Sequence, residues 1–461
     1  MRFDPELAEF RFGYGLSPTL PAPADARQML QRLMLDDAAA ERFVIPGFSS
    51  VLDRMQAINA LRRKRRKSQS DKAAEDFLRE RRKLVRQMRR DQLIWMGATF
   101  ARRAWTRDAF RERLVAFWAN HFTVRGKGSV TPWAVTPYIE STIRPHLTGT
   151  FSDILKSAIK SPLMLQYLDQ RSSRGPGSEA AQRMGGQAGL NENLARELLE
   201  LHTLGVDGPY TQTDVRELAE LLTGLTFHPS KGTRFNKKAV EPGFETVLGK
   251  RYGGDPGDMA DIDAVLEDLA VHPATAKHIG RKLAVHFVSD TPSPDLVEAL
   301  QQSFSETGGD LIALYETLLY HPSSWDPSAG NIRPPLDWVS AVIRALAVPP
   351  ARLTPAKNDT FFNRLPEALA RMGQPYEQPP GPDGWPEEDA GWLTPQALAA
   401  RLQWAIGAPQ LMGGDLPDPR VFVNTALGTR VHERLRFAAH AAETRADGIG
   451  LILVSPEFLR S

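Results

Sequence analysis

Cysteine is absent from the 461 residues. That excludes disulfides, thiolate zinc sites, iron–sulfur ligation and thiol nucleophiles. An excess of one charge is lacking too: Lys+Arg 57 against Asp+Glu 55 leaves +2, so no uniformly basic coat is available for nucleic acid. No apolar run approaches the ~20 residues that span a bilayer. The most apolar short stretch is Gly448-Ile449-Gly450-Leu451-Ile452-Leu453-Val454. Met1-Arg2-Phe3-Asp4-Pro5-Glu6 has no cationic start leading into an apolar stretch, so no secretory signal is read and a cytoplasmic protein is expected. Period-2 alternation is scarce, which argues against a sheet-built fold. Familiar catalytic signatures are missing as well. There is no His-Glu-x-x-His, no Glu-x-x-His beside the central glutamates, no P-loop and no Gly-x-Ser-x-Gly elbow. Gly13-Tyr14-Gly15 lacks the third glycine of a dinucleotide loop.

What is present is an ordinary globular balance, 42% hydrophobic and 24% charged. Leu84, Val85, Met88, Leu93, Ile94 and Met96 recur at helical spacing. Many of the 35 prolines sit where helices begin, as in His272-Pro273, Ser293-Pro294 and Thr394-Pro395. These features predict an all-α architecture: one large helical domain over 1–461 with short connections. Three segments interrupt it. A basic helical hairpin is expected near 55–100, carrying Arg-Arg-Lys-Arg-Arg-Lys at 62–67 and six more basic residues at 81–90. Glu75, Asp76 and Glu80 can pair there with Lys72, Arg79 and Lys83. Residues 60–92 read either as a solvated arm or as a docking surface for nucleic acid or an acidic protein. Residues 171–189, rich in Gly and Ser, read as a flexible loop. Residues 373–392 hold five prolines and read as an ordered loop that buries Trp385 and Trp392.

The most informative segment is Asn191 to Phe227. Asn191 suits an N-cap, Gly205 a left-handed helix end with Val206 touching Leu201, and Thr211 a capping box with Asp214. Two antiparallel helices are expected. On the first, Asn193, Glu197 and Glu200 share a polar stripe flanked by Arg196, while Leu194, Leu198 and Leu201 face the core. His202 stands roughly 200° from Glu200 and joins the stripe only if the last turn distorts. Two carboxylates one turn apart suit a divalent metal ion or an acid/base pair. His121, between the aromatics of Phe117-Trp118-Ala119-Asn120-His121-Phe122, must be buried and either hydrogen-bonded or ligating. His278, Lys282 and His286 share a stripe at i, i+4 and i+8. His228 ends the second helix and can point back at the first. Glu197, Glu200, Arg196 and His121 are therefore the candidate catalytic residues, and His121, Glu197, Glu200, His202 and His286 the candidate metal ligands. The same groups suit a structural network in a non-catalytic scaffold.

Taken together, several collinear motifs resemble the bacterial family known as domain of unknown function 1800. They are Arg11-Phe12-Gly13-Tyr14-Gly15, Phe117 to Phe122, Asn191 to Gly205, Tyr210-Thr211-Gln212 with Asp214-Val215, Leu222-Thr223-Gly224, His272-Pro273 through Lys282-Leu283 to His286-Phe287, Gly384-Trp385-Pro386, and Ser455-Pro456-Glu457-Phe458. The resemblance implies a helical fold and supplies no biochemistry. Relatives are often exported, and many carry His before an acidic residue and Pro-Gly where this chain has Val240-Glu241-Pro242-Gly243. If that His is a ligand in relatives, the site here is altered. Two readings of function result: a metal-dependent or acid/base enzyme, of hydrolase or oxidoreductase type, acting on a small molecule or protein, and a scaffold whose polar cluster is structural.

Overall fold

Short polar side chains and prolines start the helices. Ser70 accepts a hydrogen bond from the Ala73 amide, Asp108 from Arg111, and the His272 ring from Ala274 just before Pro273 commits the chain to a turn of helix. The computed structural model describes residues 3–68, 70–184, 189–255, 257–356, 359–412 and 415–461. The helices that matter for the site are α1 (Ser49–Ser68), α2 (Asp71–Trp105), α3 (Ala109–His121), α4 (Asn193–Glu197), α5 (Gln212–Leu221), α6 (Pro273–Phe287) and α7 (Pro335–Ala345). As expected, the architecture is predominantly helical. Among the described residues no helix is long and apolar enough to cross a membrane.

Two hydrophobic cores lie side by side. The larger draws on residues from Leu7 to Trp325. The smaller draws on Ile332 to Leu459 together with Phe10 and the end of α2. Helix α2 serves both, with Met88 and Trp95 in the first core and Met96, Phe100 and Ala104 in the second. Its N-terminal half pairs with α1 as the expected arm. Gly97 allows the chain after α7 to cross α2 at backbone distance: a Cβ there would stand 2.0 Å from the Leu353 carbonyl oxygen.

Near the seam the buried residues include many charges, and several arginines there meet acids. Arg103 reaches Asp337 at 2.9 Å, and Arg113 pairs with the other oxygen of that carboxylate. Arg144 contacts Asp37 at 2.6 Å and grips both oxygens of Glu112 at 2.8 and 2.9 Å. Arg102 meets Glu140 at 2.7 Å. Such pairs offset their desolvation only when geometry is good and the remaining polar atoms are bonded.

Four features depart from the sequence reading. Two antiparallel hairpins occur, β1 (Leu225–His228) with β2 (Gly232–Phe235) and β3 (Gly243–Val247) with β4 (Lys250–Gly254). Strands of four and five residues are too short to show periodicity. Phe227 and His228 therefore lie in a strand, and the His228 ring bonds Ser230. Val206, expected to cover the helix end, is exposed. Finally, the described part of 171–189 is built, with a short helix Glu179–Arg183 and buried Ser173, Ser178 and Ala181. The Gly175 amide donates to the Ala239 carbonyl and the Gly177 amide to Glu241, so hydrogen bonds order a segment that has little apolar surface. Residues 185–188 of that loop lie outside the described residues.

Replacing Arg144 by Met leaves the buried Glu112 and the half-buried Asp37 without their common cation. We expect a loss of about 3–5 kcal/mol, read as a lower urea midpoint with an unchanged slope. A loss below about 1 kcal/mol would show that these acids are stabilised by other groups.

Candidate active site

Helix α3 ends in side chains that are almost entirely buried: Phe117, Trp118, His121 and Phe122. The chain following α4 widens into a π-helical turn, Leu198–Thr203, in which the Leu204 amide reaches back to the Leu199 carbonyl. This is the distortion of the last turn that the sequence left open, and it buries His202. His121 Nε2 lies 3.2 Å from the His202 carbonyl, and His202 Nδ1 lies 3.1 Å from the His121 carbonyl. His278 Nε2 lies 3.1 Å from the Leu201 carbonyl. A carbonyl accepts only, so each ring carries its proton on that nitrogen and its other nitrogen is a bare lone pair. The three imidazoles fasten the π turn to α3 and α6.

Burial, reinforced by the Lys282 charge, pushes His202 down to about 3 and His278 down to about 4, and holds His121 well below the usual imidazole range. All three are neutral in the fold.

The carboxylates of the central stripe are half-buried. Glu197 is half-buried, and burial followed by the nearby charges of Glu200 and Asp383 pushes it up to about 6 against the pull of Arg196. Arg196 itself bonds Glu192 and Gln212 on the flank. Glu200 sits half-buried on the π turn. The rings next to His121 are His202 and His278, with centroids 5.8 and 6.1 Å away. Among the described residues no three His, Cys, Asp or Glu side chains gather as a set that could hold a metal ion. His121, His202, His286, Glu197 and Glu200 therefore do not form such a set among the described residues.

What the fold does assemble lies farther along α6. His286 Nδ1 stands 2.8 Å from Glu387 Oε2, and its Nε2 is buried without a partner. Glu387 belongs to the Pro/Gly-rich loop, which Asn120 holds in place. The Asn120 side chain accepts from the Trp385 amide at 2.7 Å and donates to the Trp385 carbonyl and to Glu387 Oε1. Gly384 lets the loop approach so closely. Its φ is +85°, and a Cβ would come within 2.5 Å of Asn120 Oδ1. Burial alone would raise the Glu387 carboxyl, but His286, Lys282 and Asn120 outweigh it and hold the group at about 2. Lys282, one turn before His286, is lowered by burial and feels Glu387 and Asp383 only as charges, without a hydrogen bond.

His286 and Glu387 form part of the wall of a cavity of about 170 Å³ between the two cores. Ala116, Ala119, Val135, Leu336 and Trp385 line it with apolar surface, while Glu112, Glu140, Asp337, Glu377, Arg103 and Arg144 supply charge. The last two cations are already engaged by carboxylates.

A family model described as "Protein of unknown function (DUF1800)" matches residues 8–460. The chain belongs to that family. No curated protein and no solved structure matches it. In this DUF1800 member the segments most specific to the resemblance meet in space: the Phe117–Phe122 motif touches Asn191–Gly205 through His121 and His202, and Gly384-Trp385-Pro386 through Asn120. Val240 packs against Gly224 and takes no part in the cavity wall. Sequence reasoning missed Asn120, Asp383 and Glu387. The available signal was an asparagine amid aromatics at a helix end and an acidic run, Glu387-Glu388-Asp389, closing a loop otherwise made of Pro and Gly.

Two outcomes are expected. The three neutral imidazoles contribute stability that is complete above about pH 6.5 and is lost as pH falls toward their folded values, because the unfolded chain then binds three more protons. Near pH 5 their share of the slope approaches about 4 kcal/mol per pH unit, offset in part by the raised carboxyls of Glu197 and Glu245, which take up protons in the fold over the same range. Urea unfolding between pH 7 and 5 measures the sum, and His278→Gln should lower the slope by about 1.4 kcal/mol per pH unit; a slope unchanged by that substitution contradicts a buried neutral ring. Asn120→Ala leaves the Trp385 amide and Glu387 short of partners and should cost about 2–4 kcal/mol in the same assay, whereas Asn193→Ala, on an exposed residue, should cost under about 0.5 kcal/mol.

Proposed function

We propose that this protein is an enzyme of the acid/base class, in which His286 moves a proton to or from a small molecule held in the cavity between the two cores. The observation that carries this reading is the His286–Glu387 pair: one ring nitrogen held at 2.8 Å by a carboxylate, the other buried with no partner, on the wall of a partly open pocket. A carboxylate on Nδ1 fixes the tautomer, leaves Nε2 basic, and stabilises the imidazolium once Nε2 takes a proton. Lys282 supports the ionised state of Glu387. It also offers a positive field to negative charge that develops nearby.

The space bounds the substrate. A volume of about 170 Å³ is close to that of an engineered cavity which accepts benzene, ~150 Å³, so a ring-sized molecule fits. Acidic side chains outnumber basic ones on the wall, and both arginines there are already paired. This favours a neutral or cationic substrate over an anion clamped by Arg196. The reading uses proton transfer alone. The scaffold reading fits His121 and His202, whose N–H groups are bonded to backbone carbonyls, better than it fits His286.

Ligand-observed NMR against ring-sized neutral and cationic compounds should reveal binders that Ala119→Trp, which fills the cavity, abolishes. In D₂O the wild type should exchange an acidic C–H of such a binder or turn it over, and His286→Gln should slow this by about 10²–10⁴-fold. Retention of the rate within about threefold in His286→Gln would refute the assignment.

A further inference from the structure

The arm built by α1 and the first half of α2 is the most unevenly charged part of the molecule. Residues 62–90 hold fourteen Lys and Arg against four Asp and Glu, a net +10, whereas the whole chain carries +2. The remainder is therefore acidic by eight charges, and the molecule is polarised end to end. Arg62, Arg63, Lys64, Arg65, Arg66 and Lys67 are all exposed. Among the described residues of this stretch only Arg79 forms ion pairs, with Asp76 at 2.7 Å and Glu80 at 3.8 Å. The sequence's expected pairs for Lys72 and Lys83 do not form within salt-bridge distance, so thirteen of these cations stand without an acid within salt-bridge distance among the described residues. Like charges at this density cost self-repulsion that a polyanion relieves.

At the tip, Arg62, Arg65 and Arg66 of α1 and Arg81 of α2 line one cleft with Phe77. The Arg65 guanidinium lies over the Phe77 ring, 5.5 Å from its centroid. Arg81 Nε is shielded from water and has no partner. The apolar residues of the arm face inward: Ile58, Phe77 and Met88 are buried, and Leu78 is the one large hydrophobic residue of 62–90 that stands exposed. A helix that inserts into a lipid surface presents an apolar face, and this arm has none. Ten of its fourteen cations are arginine, the side chain whose planar fork matches phosphate oxygens. A hairpin two helices wide, ~20 Å, is too broad to enter a ~12 Å major groove, so contact falls on the backbone.

We propose that the arm docks on a nucleic-acid duplex through its phosphodiester backbone, without reading bases, and holds the acidic body away from it. Full-length protein is titrated into a fluorescent mixed-sequence 25-bp DNA duplex between 50 and 200 mM salt. Releasing counterions from six to eight phosphates gives a log–log slope of about −5 to −7. The triple variant Arg62→Glu, Arg63→Glu, Arg66→Glu, whose sites are exposed and leave Arg65 on Phe77, should melt like the wild type. It should bind at least about 30-fold more weakly at 100 mM salt, with a slope shallower by about 3. Absence of binding at 50 mM salt overturns the proposal, as does equal binding by the variant. Binding to anionic phospholipid vesicles without binding to the duplex overturns it in favour of a membrane surface.

Discussion

The site depends on one asparagine. Residues 373–392 contain five prolines, each without an amide to donate, so the loop has little capacity to organise itself by its own backbone bonds. Asn120 supplies what the loop lacks, engaging both the amide and the carbonyl of Trp385 as a paired strand would. Its amide then makes a further bond to Glu387. That last contact sets the carboxylate against His286. Because Asn120 sits on the last turn of α3, the loop inherits the rigidity of a helix buried in the larger core.

Between the cores, the same principle operates with full charges. Arg102, Arg103, Arg113 and Arg144 come from α2, α3 and a neighbouring helical segment, and meet acids from several other segments of the chain. Each pair is stabilising only while its partner holds position, so the network resists relative movement of the two cores. The cavity that opens between them is thereby preorganised, with apolar walls from small residues of α3 and polar groups already committed.

Four histidines near this centre share a chemistry and differ in circumstance. His121, His202 and His278 give their protons to backbone carbonyls and are kept neutral by burial; they secure a π turn whose wider pitch would otherwise leave carbonyls without partners. His286 instead meets the Glu387 carboxylate. The contrast separates rings that hold the fold from the one suited to proton transfer.

Helical punctuation was legible from the chain alone. The caps at Thr211 and Thr394, the arm near 55–100, the ordered proline loop and the His278–Lys282–His286 stripe all follow from local rules of spacing and hydrogen bonding. The family followed from motifs in fixed order. Pairings between distant segments were not legible, because no local rule links Asn120 to Trp385, 265 residues away, or His286 to Glu387, 101 residues away. The short hairpins escaped for lack of length, and the 171–184 segment because hydrogen bonds rather than apolar burial order it. Sequence by itself determined which residues could ionise, cap or bury. Tertiary structure alone decided which buried imidazole met a carboxylate and which met a carbonyl, since that choice rests on where the packing of two cores leaves each backbone and side-chain oxygen.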